Sequence, residues 1–144
     1  MSLIPMYTNI CIEGIDKSGK NIVAEYIKRL SCHKYTVFDR GVISEVTYSE
    51  MFGRNQTFDL EPYKRFIFVN LLVDKEDWEI RCKMTNEPKI DYNENAAAFK
   101  KTVTWFKSNG YFVLEFNTSN KTPYKIATEV IQFIEDLNKE NKNE

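Results

Sequence analysis

The fold is decided by residues 9–20, which have the sequence NICIEGIDKSGK. Residues 9–13 are a short apolar run rich in β-branched side chains, which predicts a strand that ends at Gly14. Residues 21–30 predict a helix, because their apolar side chains recur at helical spacing. These side chains are Ile22, Val23, Tyr26, Ile27 and Leu30. The sequence therefore predicts a strand, a glycine loop and a helix in direct succession.

The loop between this strand and helix matches the pattern GxxxxGK from Gly14 to Lys20. Glycines let the backbone curl so that successive N–H groups and the helix N-terminus face phosphate oxygens, and Lys20 brings its charge to the β- and γ-phosphates. An ordinary turn is the alternative, but the strand before the loop and the helix after it favour phosphate binding. The residues predicted to bind the nucleotide are Gly14, Asp16, Lys17, Ser18, Gly19, Lys20 and Asn21.

Asn21 departs from the phosphate-loop pattern, which places serine or threonine after the lysine so that a hydroxyl can ligate Mg²⁺. An amide oxygen can also ligate a hard cation, directly or through water. Two alternatives therefore stay open at this stage: a working Mg-nucleotide site, or a weakened site in a slow or inactive enzyme.

Strands and helices alternate along the rest of the chain. Strands are predicted at residues 35–38, 66–73 and 111–116. Helices are predicted at residues 42–51, from the N-cap Asp74 to residue 84, from Asn93 or Asn95 to residue 108, and from Thr122 to residue 137. This order predicts a right-handed, doubly wound α/β fold whose parallel sheet has about four strands and binds its ligand at their carboxyl ends. Residues 14–20 and the pair Asp39–Arg40 fall at that edge. We expect one domain over residues 1–138 and a polar, frayed tail over 139–144.

Composition excludes several classes of protein. The 144 residues carry 20 Lys and Arg against 21 Asp and Glu, a net charge of −1, so we expect no general nucleic-acid binding. The longest apolar runs, such as 66–73, are far shorter than the ~20 residues of a membrane helix, and no signal segment is recognisable. Three Cys without a CxxC pair and a single His support neither a disulfide framework nor a zinc site. We expect a cytoplasmic protein, in the host cytoplasm if a virus or phage encodes it.

A second motif stands at a fixed distance from the first. Residues 13–20 read EGIDKSGK, and the later pair Asp39–Arg40 is followed by Ser44 and Tyr48. Together they resemble the thymidylate kinase family of P-loop nucleoside monophosphate kinases, in which an EGxD-type loop leaves the first strand and a DR pair precedes Ser and Tyr at this spacing. The resemblance implies a three-layer P-loop kinase fold, ATP and Mg²⁺ as cofactors, and phosphoryl transfer to a deoxynucleoside monophosphate.

The resemblance also implies roles for the matching residues. Asp16 would contact the acceptor sugar, and Arg40 would bridge the donor and acceptor phosphates. Asp39 would hold Mg²⁺ through water, together with Asn21, or act as a base. Phosphoryl transfer is catalysed mainly by positioning and charge neutralisation, for which Lys20 and these side chains are suited. The alternative for Asp39 and Arg40 is a surface ion pair at the end of a strand.

The rest of the chain matches the family less specifically. Arg81 and Lys83 lie where the family has its basic lid, which implies a catalytic role for Arg81, but a solvated helix face explains them as well. Only residues 31–35 separate the first helix from the DR strand, where full-length members insert parts that hold the acceptor phosphate and read its base. The sequence therefore resembles a shortened member of the family.

Ser44 and Tyr48 are expected to bind substrate. Tyr48, Phe52, Arg54 and Phe58 are candidates for a pocket that replaces the missing base-reading part, although aromatic side chains at such spacing are more often core. Family members are commonly homodimers through helices on the flank of the sheet. The helix over residues 42–52 is therefore a candidate dimer surface, which core packing explains equally well.

Three functions follow from these observations. The first is a kinase that moves the γ-phosphoryl group of ATP to a deoxynucleoside monophosphate. The second keeps the P-loop kinase but transfers to a hydroxyl of a nucleoside, or to a DNA base or end, because the shortened acceptor region leaves an open site. The third is a degenerate kinase that binds a nucleotide or a protein, which Asn21 and the missing insert favour.

Overall fold

A four-stranded, all-parallel sheet lies at the centre of the protein, which a computed structural model describes for residues 6–85 and 90–142. Its strands are β1 (Asn9–Gly14), β2 (Thr36–Asp39), β3 (Phe66–Leu72) and β4 (Phe112–Asn117), in the spatial order β2-β1-β3-β4. Ile12 of β1 pairs with Asp39 on one side and with Val69 on the other. The carboxyl ends of the strands therefore meet at one edge, as the sequence predicts.

Helices cover both faces of the sheet and complete a three-layer P-loop kinase fold. In the described ranges they are α1 (Lys20–Leu30), α2 (Val42–Met51), α3 (Lys75–Thr85), α4 (Tyr92–Ser108) and α5 (Pro123–Lys142). None of these helices combines the length with the apolar composition that a bilayer crossing requires. Residues 1–5, 86–89, 143 and 144, which belong to the predicted domain and tail, lie outside the described residues.

Two hydrophobic layers hold the helices to the sheet. Side chains alternate along β1, so Ile10 and Ile12 face α1 and α5, where Ile27 is fully buried, while Cys11 faces the opposite layer. In that layer Phe68 of β3 packs with residues of α2, α3 and α4. Because β1 and β3 are buried on both faces, they read as continuous apolar runs.

The structure corrects the predicted ends of two helices. α4 begins at Tyr92, earlier than Asn93 or Asn95, because the Asp91 side chain caps it by accepting the Glu94 N–H at 3.0 Å. α5 continues to Lys142, beyond its predicted end at residue 137 and past Asn138. That asparagine is buried and forms two hydrogen bonds with the backbone of Tyr7, at 2.7 and 2.9 Å. A 3₁₀ turn, Glu61–Arg65, precedes β3 and was not predicted.

Candidate active site

The loop from Gly14 to Lys20 joins the carboxyl end of β1 to the N-terminus of α1. Gly14 has a φ of +137°, and a Cβ built there would lie 2.5 Å from the Leu71 carbonyl oxygen, so no other residue fits. Gly19, at φ +96°, is the N-cap of α1 and has no side chain to cap the helix with. The free N–H groups of the first turn are therefore directed at whatever occupies the loop, which is the arrangement that binds phosphate.

Lys20 is 7% exposed, and its Nζ donates to the carbonyl oxygens of Gly14 at 3.0 Å and Ile15 at 2.8 Å. Burial, and next the nearby Arg40 guanidinium, lower the pKa of this ammonium to about 8. The carboxylates of Asp16, Asp39 and Glu13 act in the opposite direction. The loop thus holds a cation whose charge is weakly solvated and available to an anionic ligand.

Three more carbonyl groups of the loop accept hydrogen bonds from side chains elsewhere in the protein. The Asp16 carbonyl accepts the Trp78 indole N–H at 3.1 Å, and the Lys17 carbonyl accepts Arg81 Nη1 at 2.8 Å. The Ser18 carbonyl accepts the Thr118 hydroxyl at 2.9 Å, and Arg81 also donates to that hydroxyl oxygen at 3.2 Å. In a trans peptide the N–H points away from the carbonyl, so these bonds turn the N–H groups of residues 17–19 away from the three side chains. The Ser18 N–H among them donates to the Ile15 carbonyl at 3.3 Å. A loop whose N–H groups are turned to one side is suited to phosphate oxygens.

Asp39 and Arg40 lie at the carboxyl end of β2, beside the loop. Arg40 has a left-handed backbone, with a φ of +74°, and its N–H donates to the Ile12 carbonyl at 2.9 Å. Its Nη2 lies 3.6 Å from Asp16 Oδ1, and both side chains are about half exposed. The predicted DR pair is therefore adjacent to the phosphate loop, with its guanidinium open to solvent.

A single cleft of about 400 Å³ contains most of the predicted site. Its lining residues are Asp16, Lys17, Gly19, Lys20, Asn21, Ile22, Asp39, Arg40 and Thr85. Thr85, the last residue of α3, was not predicted as a site residue. The one available signal was its position shortly after Arg81 and Lys83 in the same helix. Asn21 is exposed on the first turn of α1 and lines the cleft.

Ser18 and Ser44 do not line this cleft. Ser18 is completely buried, its hydroxyl has no hydrogen-bond partner among the described residues, and its N–H donates to the Ile15 carbonyl at 3.3 Å. Ser44 is 3% exposed and donates its hydroxyl to Glu13 Oε1 at 2.8 Å. The structure therefore gives the predicted substrate-binding serine a partner inside the protein.

Tyr48 lies near the Arg40–Asp16 pair but belongs to an aromatic cluster. Its ring stacks on Phe52, with centroids 6.1 Å apart, and meets Phe99 edge-on at 5.6 Å. Burial raises the pKa of its phenol; the charge of Arg40 lowers this pKa and that of Asp16 raises it. Tyr48 thus joins α2 to α4 through its contact with Phe99.

The four residues proposed as a base-reading pocket are divided by the structure. Arg54 and Phe58 line a cavity of about 480 Å³, whereas Phe52 is exposed and carries the Arg54 guanidinium 5.3 Å from its ring centroid. Phe58 also lines a groove of about 750 Å³ between α2 and α4, together with Trp105. Neither cavity shares a lining residue with the phosphate-loop cleft.

Arg81 and Lys83 differ in position. Arg81 is partly buried against the phosphate loop, whereas Lys83 is exposed on α3. Trp78 and Thr118, which help Arg81 hold the loop, were missed by sequence reasoning. Thr118 follows β4 directly, and the rule that ligands bind at the carboxyl ends of strands was the available signal for it.

Glu13 belongs to the EGxD-type motif, although no role is predicted for it, and it lies near the end of β1 with no exposed surface. Its carboxylate accepts the Gly41 N–H at 2.7 Å, the Ile43 N–H at 2.7 Å and the Ser44 hydroxyl. Burial raises the pKa of this carboxyl, and hydrogen bonding from Gly41, Ser44 and Ile43 opposes the shift. Glu13 therefore joins β1 to the N-terminus of α2.

No family model and no curated protein matches this sequence. Two solved structures resemble its fold. The YorR protein of Bacillus subtilis, in complex with phosphorylated GDP, matches 89% of this chain and 96% of its own, with a TM-score of 0.71 and 16% identity. Thymidylate kinase of Candida albicans matches 96% of this chain and 93% of its own, with a TM-score of 0.56 and 15% identity. At these identities the likeness establishes the P-loop kinase fold.

Proposed function

We propose that this protein is a nucleotide kinase that transfers the γ-phosphoryl group of ATP to a deoxynucleoside monophosphate. The observation that carries the proposal is the cleft in which Lys20, Asp16, Asp39 and Arg40 meet beside a phosphate loop. A structural turn and a surface ion pair would not require a buried lysine at the base of an open cleft. Two solved structures of the same fold support the proposal, one a thymidylate kinase and the other in complex with a phosphorylated guanine nucleotide.

The donor phosphates are bound by the loop in this proposal. The N–H groups of the loop and of the first turn of α1 contact the phosphate oxygens, and the Lys20 ammonium neutralises the β- and γ-phosphates. Lys20 exchanges its bonds to the Gly14 and Ile15 carbonyls for phosphate oxygens as the nucleotide enters. Trp78, Arg81 and Thr118 keep the loop in its binding conformation, so little ordering is required on binding.

Transfer takes place at the exposed side of the cleft. The bond between the γ-phosphorus and the bridging oxygen breaks, ADP leaves with that oxygen, and a new bond forms to a phosphate oxygen of the acceptor. Arg40 neutralises charge on the moving phosphoryl group, and Asp16 positions the acceptor sugar. The 3.6 Å ion pair keeps Arg40 beside the loop until the substrates replace it.

Asn21 and Asp39 are suited to hold Mg²⁺. Both line the cleft, and amide and carboxylate oxygens are ligands for a hard cation that keeps several waters and binds substrate phosphates. Among residues 6–85 and 90–142 no group of three or more His, Cys, Asp or Glu forms a metal site, so the phosphates and waters must complete the coordination. When bound, Mg²⁺ would neutralise charge on the donor phosphates.

A nucleotide-binding module without catalysis is the second candidate, and Asn21 favours it. This position lacks the hydroxyl that phosphate loops offer to Mg²⁺. Such a module would still bind ATP through the loop and Lys20, but it would show no turnover with any acceptor.

Two measurements on one preparation test the proposal. Calorimetry with Mg-ATP measures binding, and a coupled ADP-release assay over the common deoxynucleoside monophosphates, nucleosides and a single-stranded oligonucleotide measures transfer. We expect acceptor-dependent ADP release with a monophosphate, which Lys20→Ala reduces at least about tenfold. Binding without turnover would favour the module, and turnover with the oligonucleotide alone would move the acceptor to a hydroxyl. Absence of binding would overturn the phosphate-loop assignment.

A further inference from the structure

Glu13 is a fully buried carboxylate at the centre of the phosphate-loop region, and phosphoryl transfer as described above makes no use of it. All three of its partners donate hydrogen bonds, and all three belong to the first residues of α2 or to its N-cap, Gly41. A carboxylate at a helix N-terminus is stabilised by these donors and by the positive end of the helix dipole. These donors therefore offset part of the cost of burying the ionised group at this position.

The turn that Glu13 holds is the one that carries Arg40. Arg40 adopts a left-handed backbone, which a residue with a Cβ keeps only when its surroundings enforce it. The Arg40 N–H is bound by the Ile12 carbonyl of β1, and the next N–H, that of Gly41, is bound by Glu13 Oε1 of the same strand. A Cβ at Gly41 would lie 2.7 Å from the Cys11 sulfur, so the turn packs directly on β1.

We propose that Glu13 is a positioning residue, which fixes the Arg40 turn against β1 and thereby sets the guanidinium relative to the phosphate loop. Glu13 precedes Gly14, whose carbonyl binds Lys20, so one short segment of β1 locates Lys20 and Arg40, two of the cations that line the cleft. Glu13 itself has no exposed surface and both of its oxygens are occupied, so it acts through the turn and does not touch the substrates. This inference rests on the proposed kinase function.

The position requires a carboxylate and not merely a polar side chain. Oε1 receives the Gly41 N–H and the Ser44 hydroxyl, and Oε2 receives the Ile43 N–H. In Glu13→Gln one of these oxygens becomes an NH₂ group facing a backbone N–H. The Ser44 hydroxyl can rotate to accept from that NH₂, but a backbone N–H cannot, so at least one of the two backbone hydrogen bonds is lost.

The test combines kinetics with proteolysis. We expect Glu13→Gln to lower kcat about tenfold or more. In a protein that already carries Arg40→Ala, adding Glu13→Gln should lower kcat by less than about twofold, because both substitutions remove the contribution of a correctly placed Arg40. In the free protein, trypsin should cut Glu13→Gln after Arg40 at least about fivefold faster than the native protein, because the turn opens more often. Thr47→Val is the matched control. It removes the buried Thr47 hydroxyl, which bonds the Ile43 carbonyl and the Thr102 hydroxyl, but leaves all three donors to Glu13 in place, and it should change both values by less than about twofold.

Several outcomes would overturn the inference. If the losses from Glu13→Gln and Arg40→Ala multiply in the double variant, Glu13 acts independently of Arg40. If cleavage after Arg40 is unchanged in Glu13→Gln, the carboxylate does not hold the turn, whatever the kinetics show. If the native protein has no turnover, the proposed function fails, and proteolysis still decides whether Glu13 holds the turn. If Glu13→Gln does not fold, Ser44→Ala, which removes one of the three donors, replaces it in the same measurements.

Discussion

Raising the pH from 7.5 to 9.5 is expected to weaken ATP binding about 25-fold, because it removes the proton from Lys20. Lys20 is the ammonium closest to the phosphates in the proposed complex, and only its charged form neutralises them. The perturbation needs no mutation, so no side chain is removed from the loop.

The size of the effect follows from the surroundings of Lys20. Burial and the Arg40 guanidinium lower its pKa to about 8 in the free protein. With that pKa about three-quarters of the molecules carry the charge at pH 7.5, but about 3% do at pH 9.5. The negative phosphates raise the pKa in the complex, so the bound state holds more protons and affinity must fall as the pH rises. A terminal phosphate has its second pKa near ~6, so ATP is fully ionised across this range.

Calorimetry in two buffers with different ionisation enthalpies measures the affinity and the proton uptake together. Near pH 9 we expect close to one proton taken up per ATP bound. Lys20→Ala should bind weakly with a flat pH profile, whereas Lys125→Ala, which removes an exposed lysine of α5, should keep the native slope. If the native protein stays folded at pH 9.5 and binds ATP as tightly as at pH 7.5, Lys20 does not carry the phosphate charge.

Three further variants test other parts of the cleft. Asp39→Asn should keep the thermal unfolding midpoint within a few degrees but lower kcat about 100-fold. If the variant instead unfolds readily and its folded fraction keeps normal activity, Asp39 has a structural role. Asn21→Thr should preserve or raise activity and lower the Mg²⁺ concentration required, whereas a poorer Mg²⁺ response would show that the amide has another task. Thr118→Val should weaken ATP binding about threefold to tenfold, because the Ser18 carbonyl loses its donor, and unchanged binding would show that the loop keeps its shape without it.

The first strand, the loop and the first helix could be predicted because their signals are local. Apolar residues 9–13, two glycines and a helical repeat identify β1, the loop and α1 within one residue at each end. The placement of Asp39 beside the loop followed from the rule that parallel strands share their carboxyl edge, and the register of Ile12 with Asp39 agrees with it.

The supports of the cleft could not be predicted, because they join residues far apart in the chain. Glu13 meets Ser44 31 positions later, and Thr118 meets Ser18 100 positions earlier. Such pairs depend on how α2 and the loop after β4 pack, which no local pattern specifies. For the same reason Ser44 matched a family motif by spacing, while the structure shows its hydroxyl bound to Glu13.

The central claim is that this cleft transfers a phosphoryl group between nucleotides, and the most direct test follows the phosphorus itself. The protein is incubated with Mg²⁺, ATP labelled at the γ-phosphate and a mixture of deoxynucleoside monophosphates, and the products are separated by chromatography. The proposed function predicts label in a deoxynucleoside diphosphate, formed by the native protein and strongly reduced in Lys20→Ala. Label that remains in ATP, or that is released only as inorganic phosphate, would contradict it.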